Sequence, residues 1–171
     1  LKNIELNWQN EKNISENAWI KLVKAKNNKC IEEGFPMLID YAGANNFGNL
    51  CKELIIKNPE NITSLKWLKN MYADVNDDTI QSVANGLKRC GNKSHLKNIE
   101  IDWNSSHIKE NGLKSMIETE HKSIRHSYKS ILRIAGRKNY GNLLEALLSQ
   151  NPEEIKEINW NIEDTLFKEI N

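Results

Sequence analysis

The residues of this chain that could do chemistry are few, and their spacing decides what that chemistry is. Four imidazoles, His95, His107, His121 and His126, are scattered along it. His121 and His126 are five residues apart, so one helix face would not carry both and a paired metal site is not expected. Cys30, Cys51 and Cys90 form an odd set with no CxxC pair. That spacing matches no zinc site, argues against a disulfide framework and fits a reducing compartment. The adjacent carboxylates Asp77-Asp78 and Glu153-Glu154 read as helix-start charges, where the dipole favours anions, rather than as acid–base pairs. Neither a Walker A sequence nor a GxSxG elbow occurs. The sequence therefore gives no catalytic residues and no cofactor, and the expected class is a non-enzyme.

Composition narrows the partners. With 24 basic and 23 acidic residues the net charge is +1, so nothing in the overall balance calls for nucleic acid or an anionic membrane. No stretch approaches the roughly 18–20 apolar residues of a membrane span. The N-terminal Leu1-Lys2-Asn3-Ile4-Glu5 is not a signal peptide, and the absence of an initial Met points to a fragment or a processed piece. A cytoplasmic setting is expected.

The elements that would position any binding residues come in copies. Leu1-Lys2-Asn3-Ile4-Glu5 recurs at Leu96-Lys97-Asn98-Ile99-Glu100, with Trp8 and Trp103 at the same offset. Ala42-Gly43 through Leu50 returns as Ala135-Gly136 through Leu143, and Asn58-Pro59-Glu60 returns as Asn151-Pro152-Glu153. Offsets of 95, 93 and 93 are collinear, so the chain reads as an internal duplication, 1–95 and 96–171, within one domain.

Each half divides into three. Apolar residues in the order apolar-x-x-apolar-x-apolar occur at Leu1/Ile4/Leu6, Ile62/Leu65/Trp67, Leu96/Ile99/Ile101 and Ile155/Ile158/Trp160, with weaker copies at Ile39/Tyr41 and Leu132/Ile134. The closing alternation predicts a short strand with one buried face. Between strands the period turns helical, as in Phe47, Leu50, Cys51, Leu54 and Ile55, or Ile80, Val83, Ala84 and Leu87. Asp78 to Gln81 has capping-box spacing. The two Ala-Gly-x-x-Asn-aromatic-Gly-Asn-Leu segments read as tight strand-to-helix turns, not phosphate loops.

Strand, loop and helix in succession resemble a leucine-rich repeat protein of the ribonuclease-inhibitor-like class. The LxxLxLxxN motif is met in full by Leu96 through Asn104. The resemblance implies an α/β solenoid, a horseshoe of about six strand–helix repeats, with a parallel sheet on the concave face and helices on the convex face. The Asn is replaced by Gln9 in the first unit and Glu163 in the last, so the repeats are divergent. An all-helical solenoid of the HEAT or armadillo kind is the rival architecture.

On that horseshoe, residues between the buried positions face outward. The expected protein-binding residues are Glu5, Asp40, Lys66, Glu100, Arg133 and Asn159, with Trp8 and Trp103 as aromatic anchors or, alternatively, as caps on the core. The partner is a protein or peptide, with no nucleic acid and no membrane. The uncapped solenoid ends add self-association. The resemblance also implies two contexts, a host-directed bacterial effector or a sensing domain of a larger enzyme or switch ATPase.

Overall fold

The computed structural model describes residues 14–25, 34–68 and 75–150. In chain order these form α1 (Glu16–Lys24), α2 (Phe35–Ala44), α3 (Gly48–Lys57), β1 (Ser64–Trp67), α4 (Asp77–Cys90), β2 (Asn98–Ile101), α5 (Glu110–Ile117), α6 (Tyr128–Arg137) and α7 (Gly141–Gln150). Short 3₁₀ segments lie at Gly91–Lys93 and Lys122–Ser127.

The expectation of six strand–helix repeats is overturned. Among the described residues there are two strands, paired in parallel with Leu65 opposite Ile99 and Trp67 opposite Ile101. These are the two units whose motif is strongest, and Ile62, Leu65, Trp67, Leu96, Ile99 and Ile101 are all buried. The weaker units are helices. Phe35, Leu38, Ile39 and Ala42 fall at i, i+3, i+4 and i+7 and are buried along α2; Tyr128, Ile131, Leu132 and Ala135 do the same along α6. A full helical stripe outweighs one alternating pair, because it buries a continuous apolar face. The units at Leu6 and Trp160 lie outside the described residues. Asn104, which would satisfy loop backbone in a leucine-rich repeat, is exposed.

What the elements form is two packed layers. In one, α1, α3, α4, α5 and α7 pack side by side in chain order. In the other, α2 packs on β1, β1 on β2, β2 on the second 3₁₀ segment, and that segment on α6. One hydrophobic core fills the space between them. The mixed layer also departs from an all-helical solenoid.

The duplicated Ala-Gly segments are helix-to-helix corners, α2 to α3 and α6 to α7, rather than strand-to-helix turns. Each glycine lies inside a helix, and the bend falls on an asparagine in the left-handed region, Asn46 at φ 56° and Asn139 at φ 55°. Asparagine tolerates this region better than most side chains. The corner hydrogen bonds also recur, Phe47 N to Ala42 O at 2.8 Å and Tyr140 N to Ala135 O at 2.9 Å. The two side chains differ. Asn46 Oδ1 accepts from Asn76 N at 2.8 Å and from Thr79 Oγ1 at 3.3 Å, whereas Asn139 is exposed. Glycine supplies the backbone but no cap. Asn46→Gly is therefore expected to lose about 1–2 kcal/mol and Asn139→Gly to stay within about 0.5 kcal/mol of wild type. Urea denaturation of both variants checks this; equal losses would remove the capping role of Asn46.

The helix start near Asp78 also shifts. Asn76 is the N-cap, its side chain accepting from Thr79 N at 2.9 Å, and Gln81 Nε2 donates to Asp77 Oδ2 at 2.9 Å. Asp77 and Asp78 both lie in the first turn of α4, where their charge complements the dipole.

Candidate binding face

Of the residues the sequence singled out, Glu5, Trp8 and Asn159 lie outside the described residues. The other five are all in or beside the mixed layer but do not form one strand row. Lys66 on β1 and Glu100 on β2 are directly opposite in the parallel register and exposed, and their charged groups approach to 3.6 Å. Such an exposed pair contributes little to stability. Asp40 and Arg133 are on helices, not strands, and stand at opposite ends of the layer on α2 and α6. Trp103 is buried, at 6% exposure. Trp103 N bonds Ile101 O at 2.8 Å immediately after β2, and this turn sends the indole into the core. It is not an exposed anchor.

Asp40 is half-buried beside Trp67. Burial raises its pKa, and the Trp67 indole N–H beside it opposes the rise, although the pair falls short of good hydrogen-bond geometry. Asp40 thus marks the seam where α2 meets the end of β1. Met37, one turn before Asp40, is 59% exposed, and Leu68, next after Trp67, is 43% exposed. Sequence reasoning missed both. Leu68 continues the outward phase of Lys66 just past the buried Trp67, and on α2 a helical period separates Met37 from the buried Leu38 and Ile39.

Neither of the two described thiols is a reactive group. Cys51 is fully buried and burial drives its pKa far up; Cys90 is also raised by burial and its Sγ lies 3.1 Å from Ile55 O. Among the described residues no cluster of His, Cys, Asp or Glu could hold a metal ion, and no helix is long and apolar enough to cross a membrane.

A cleft of about 560 Å³ opens between the end of α4 and the second 3₁₀ segment, lined by Lys88, Ser94, Glu120, His121, Lys122 and Arg125 among others. His121 Nδ1 lies 2.7 Å from Ser123 Oγ, and its pKa is lowered, first by burial and then by Lys122. The sign follows. The folded state prefers the neutral ring while the unfolded chain takes up a proton near the ordinary histidine pKa of about 6.5. The contribution to stability is whole above that value and is lost as pH falls toward the lower folded pKa. Wild type should therefore lose more stability between pH 7.5 and 5 than His121→Gln. Urea midpoints at the two pH values test this; identical losses would remove His121 as the cause.

No protein-family model, curated protein or solved structure matches this chain.

Proposed function

We propose that this chain is a non-enzymatic protein-interaction module that binds a protein or peptide across its mixed layer, in a reducing cytosol. The observation that carries the reading is the α2–β1 seam. Met37 and Leu68 leave large apolar side chains in water there, and among the described residues Leu148 on α7 is the other large apolar side chain so exposed. A pair of exposed apolar groups at one seam, beside the Lys66–Glu100 pair, suits the centre and rim of a protein contact. The buried, unpaired thiols of Cys51 and Cys90 support a reducing compartment.

Photocrosslinkers placed at positions 37 and 68, with a third at exposed Asn85 on α4, test the reading in lysate of the source cell. The same adduct should form from 37 and 68 and not from 85, and Met37→Asp/Leu68→Asp should abolish capture by a crosslinker at Lys66. Adducts that form equally from position 85 would sink it.

A further inference from the structure

The chain is close to neutral overall, but its charge is unevenly placed. Residues 121–144 hold Lys122, Arg125, Lys129, Arg133, Arg137 and Lys138 and not one carboxylate. Three of the four arginines in the whole chain are among them. In a sequence that otherwise uses lysine, arginine here is a chemical choice, since its planar fork grips carboxylates bidentately.

The fold puts these groups on one side. Arg125, Lys129, Arg133 and Arg137 recur every four residues through the 3₁₀ segment and α6, and all four are exposed, as is Lys122. Elsewhere some exposed lysines meet carboxylates, as in Lys24–Glu53, Lys66–Glu100 and Lys88–Glu118. Among the described residues no carboxylate pairs with Lys122, Arg125 or Arg133. Arg137 has a long contact, 3.4 Å, to the neutral Asn104 side chain. At the far end Lys138 lies over the Tyr140 ring, and its pKa is lowered by burial and then by the like charges of Lys109 and Arg137, with Asp102 opposing. Glu120 borders the other end, in the cleft.

We propose that this face binds an extended acidic peptide segment of a partner protein, with carboxylates at alternate positions. The proposal rests on the interaction-module reading and names the partner's chemistry. Residues four apart on a helix advance about 6 Å, and residues two apart on an extended strand advance about 6.8 Å. Glutamates at every second position thus keep step with Arg133 and Arg137 on α6, the small drift being taken up by the long side chains, and Arg125 and Lys122 extend the row into the 3₁₀ segment. Single-stranded nucleic acid fits less well, because it needs a succession of stacking rings along the cations; Tyr128 is buried at 5% exposure, Tyr140 is half-buried at the far end, and His126 is the exposed ring within the row.

The test is fluorescence anisotropy with a labelled peptide of five Glu-Ser pairs, against a peptide of the same composition with its glutamates in one block. At an ionic strength of about 0.05 M, where exposed charges still act over more than a contact distance, the alternating peptide should bind more tightly. Arg133→Glu/Arg137→Glu should weaken it at least about tenfold, while Lys57→Glu, at an exposed position on α3 in the other layer, should leave it unchanged. Unchanged affinity in the double variant would overturn the proposal, as would tighter binding of single-stranded RNA or of phosphatidylserine vesicles. Because positions 37 and 68 do not depend on these arginines, a wild-type protein that shows no preference for the alternating peptide but still crosslinks from 37 and 68 overturns this inference alone. A wild-type protein that shows neither the peptide preference nor the crosslinks removes the module reading as well.

Discussion

Replacing Gly43 with alanine should cost the fold about 1–2 kcal/mol, although alanine is the better helix former. Gly43 is inside α2 and buried. A glycine in a helix normally costs about 0.5–1 kcal/mol relative to alanine, so propensity alone predicts a gain. Packing opposes it. A Cβ built at Gly43 would lie 2.5 Å from Trp67 Nε1 and 2.7 Å from Cζ2. Trp67 is itself 2% exposed, so its ring has nowhere to retreat without disturbing the α2–β1 seam. Overpacking of this kind costs about 1–3 kcal/mol, occasionally more, and outweighs the propensity term. Gly86→Ala is the internal control. Its Cβ would meet Ile55 and Lys52 at 3.4 Å, tolerable contacts, so propensity should win and stability rise slightly. Combining Gly43→Ala with Trp67→Leu should recover part of the combined loss, because the smaller side chain vacates the clash. Equal effects of Gly43→Ala and Gly86→Ala in denaturant melts would refute the steric account.

The same seam shows how far the sequence could be read. The helical stripes of α3 and α4 follow from their apolar spacing, and the two LxxLxL segments became strands because three buried positions apiece defined them. Ile39/Tyr41 and Leu132/Ile134 offer only a single alternating pair each, which is too short to separate a period of two from one of 3.6. Reading α6 as a strand had a second consequence. Alternation isolated Arg133 as one outward residue, whereas a helical period places Arg125, Lys129, Arg133 and Arg137 together. The signal was in the sequence and the wrong period hid it. Trp103 was undecidable at that level, since the turn that follows β2 sets the direction of its indole, and nothing in residue type fixes that turn. The closeness of Gly43 and Trp67 is likewise a tertiary fact; the sequence repeats the two residue types at Gly136 and Trp160, the latter outside the described residues, without saying that they touch.

Asp77→Ala should be the most damaging change at a half-exposed polar position, at about 2–3 kcal/mol, because Asp77 joins two helices. Its Oδ1 accepts from Lys109 N at 2.8 Å and from Gly112 N at 2.9 Å, while its Oδ2 accepts from Gln81. Two orphan amides at the start of α5 depend on it, and Lys109, the residue at the N-cap position, supplies no side-chain cap of its own. The arrangement is general in this layer. Glu16 Oε1 accepts from Asn49 N at 2.7 Å and Leu50 N at 3.1 Å, at the start of α3. Asn46 Oδ1 accepts from Asn76 N before α4, and Glu110 Oε1 accepts from Leu143 N at 3.1 Å in α7. At each of these four joints a side chain near one helix's N-terminus caps the next helix, so these N-termini share one edge and the dipole of each is met by its predecessor. That explains why the units stack in order even where strands are missing from the opposite layer: the register is held by caps as well as by the core. Asp77→Asn keeps an acceptor but not the charge and should cost about 1 kcal/mol. Hydrogen exchange supplies the decisive readout. In Asp77→Ala the amides of Lys109 and Gly112 should lose protection well before those of α3, whereas uniform loss across all helices would mean that Asp77 acts on global stability and not at this joint.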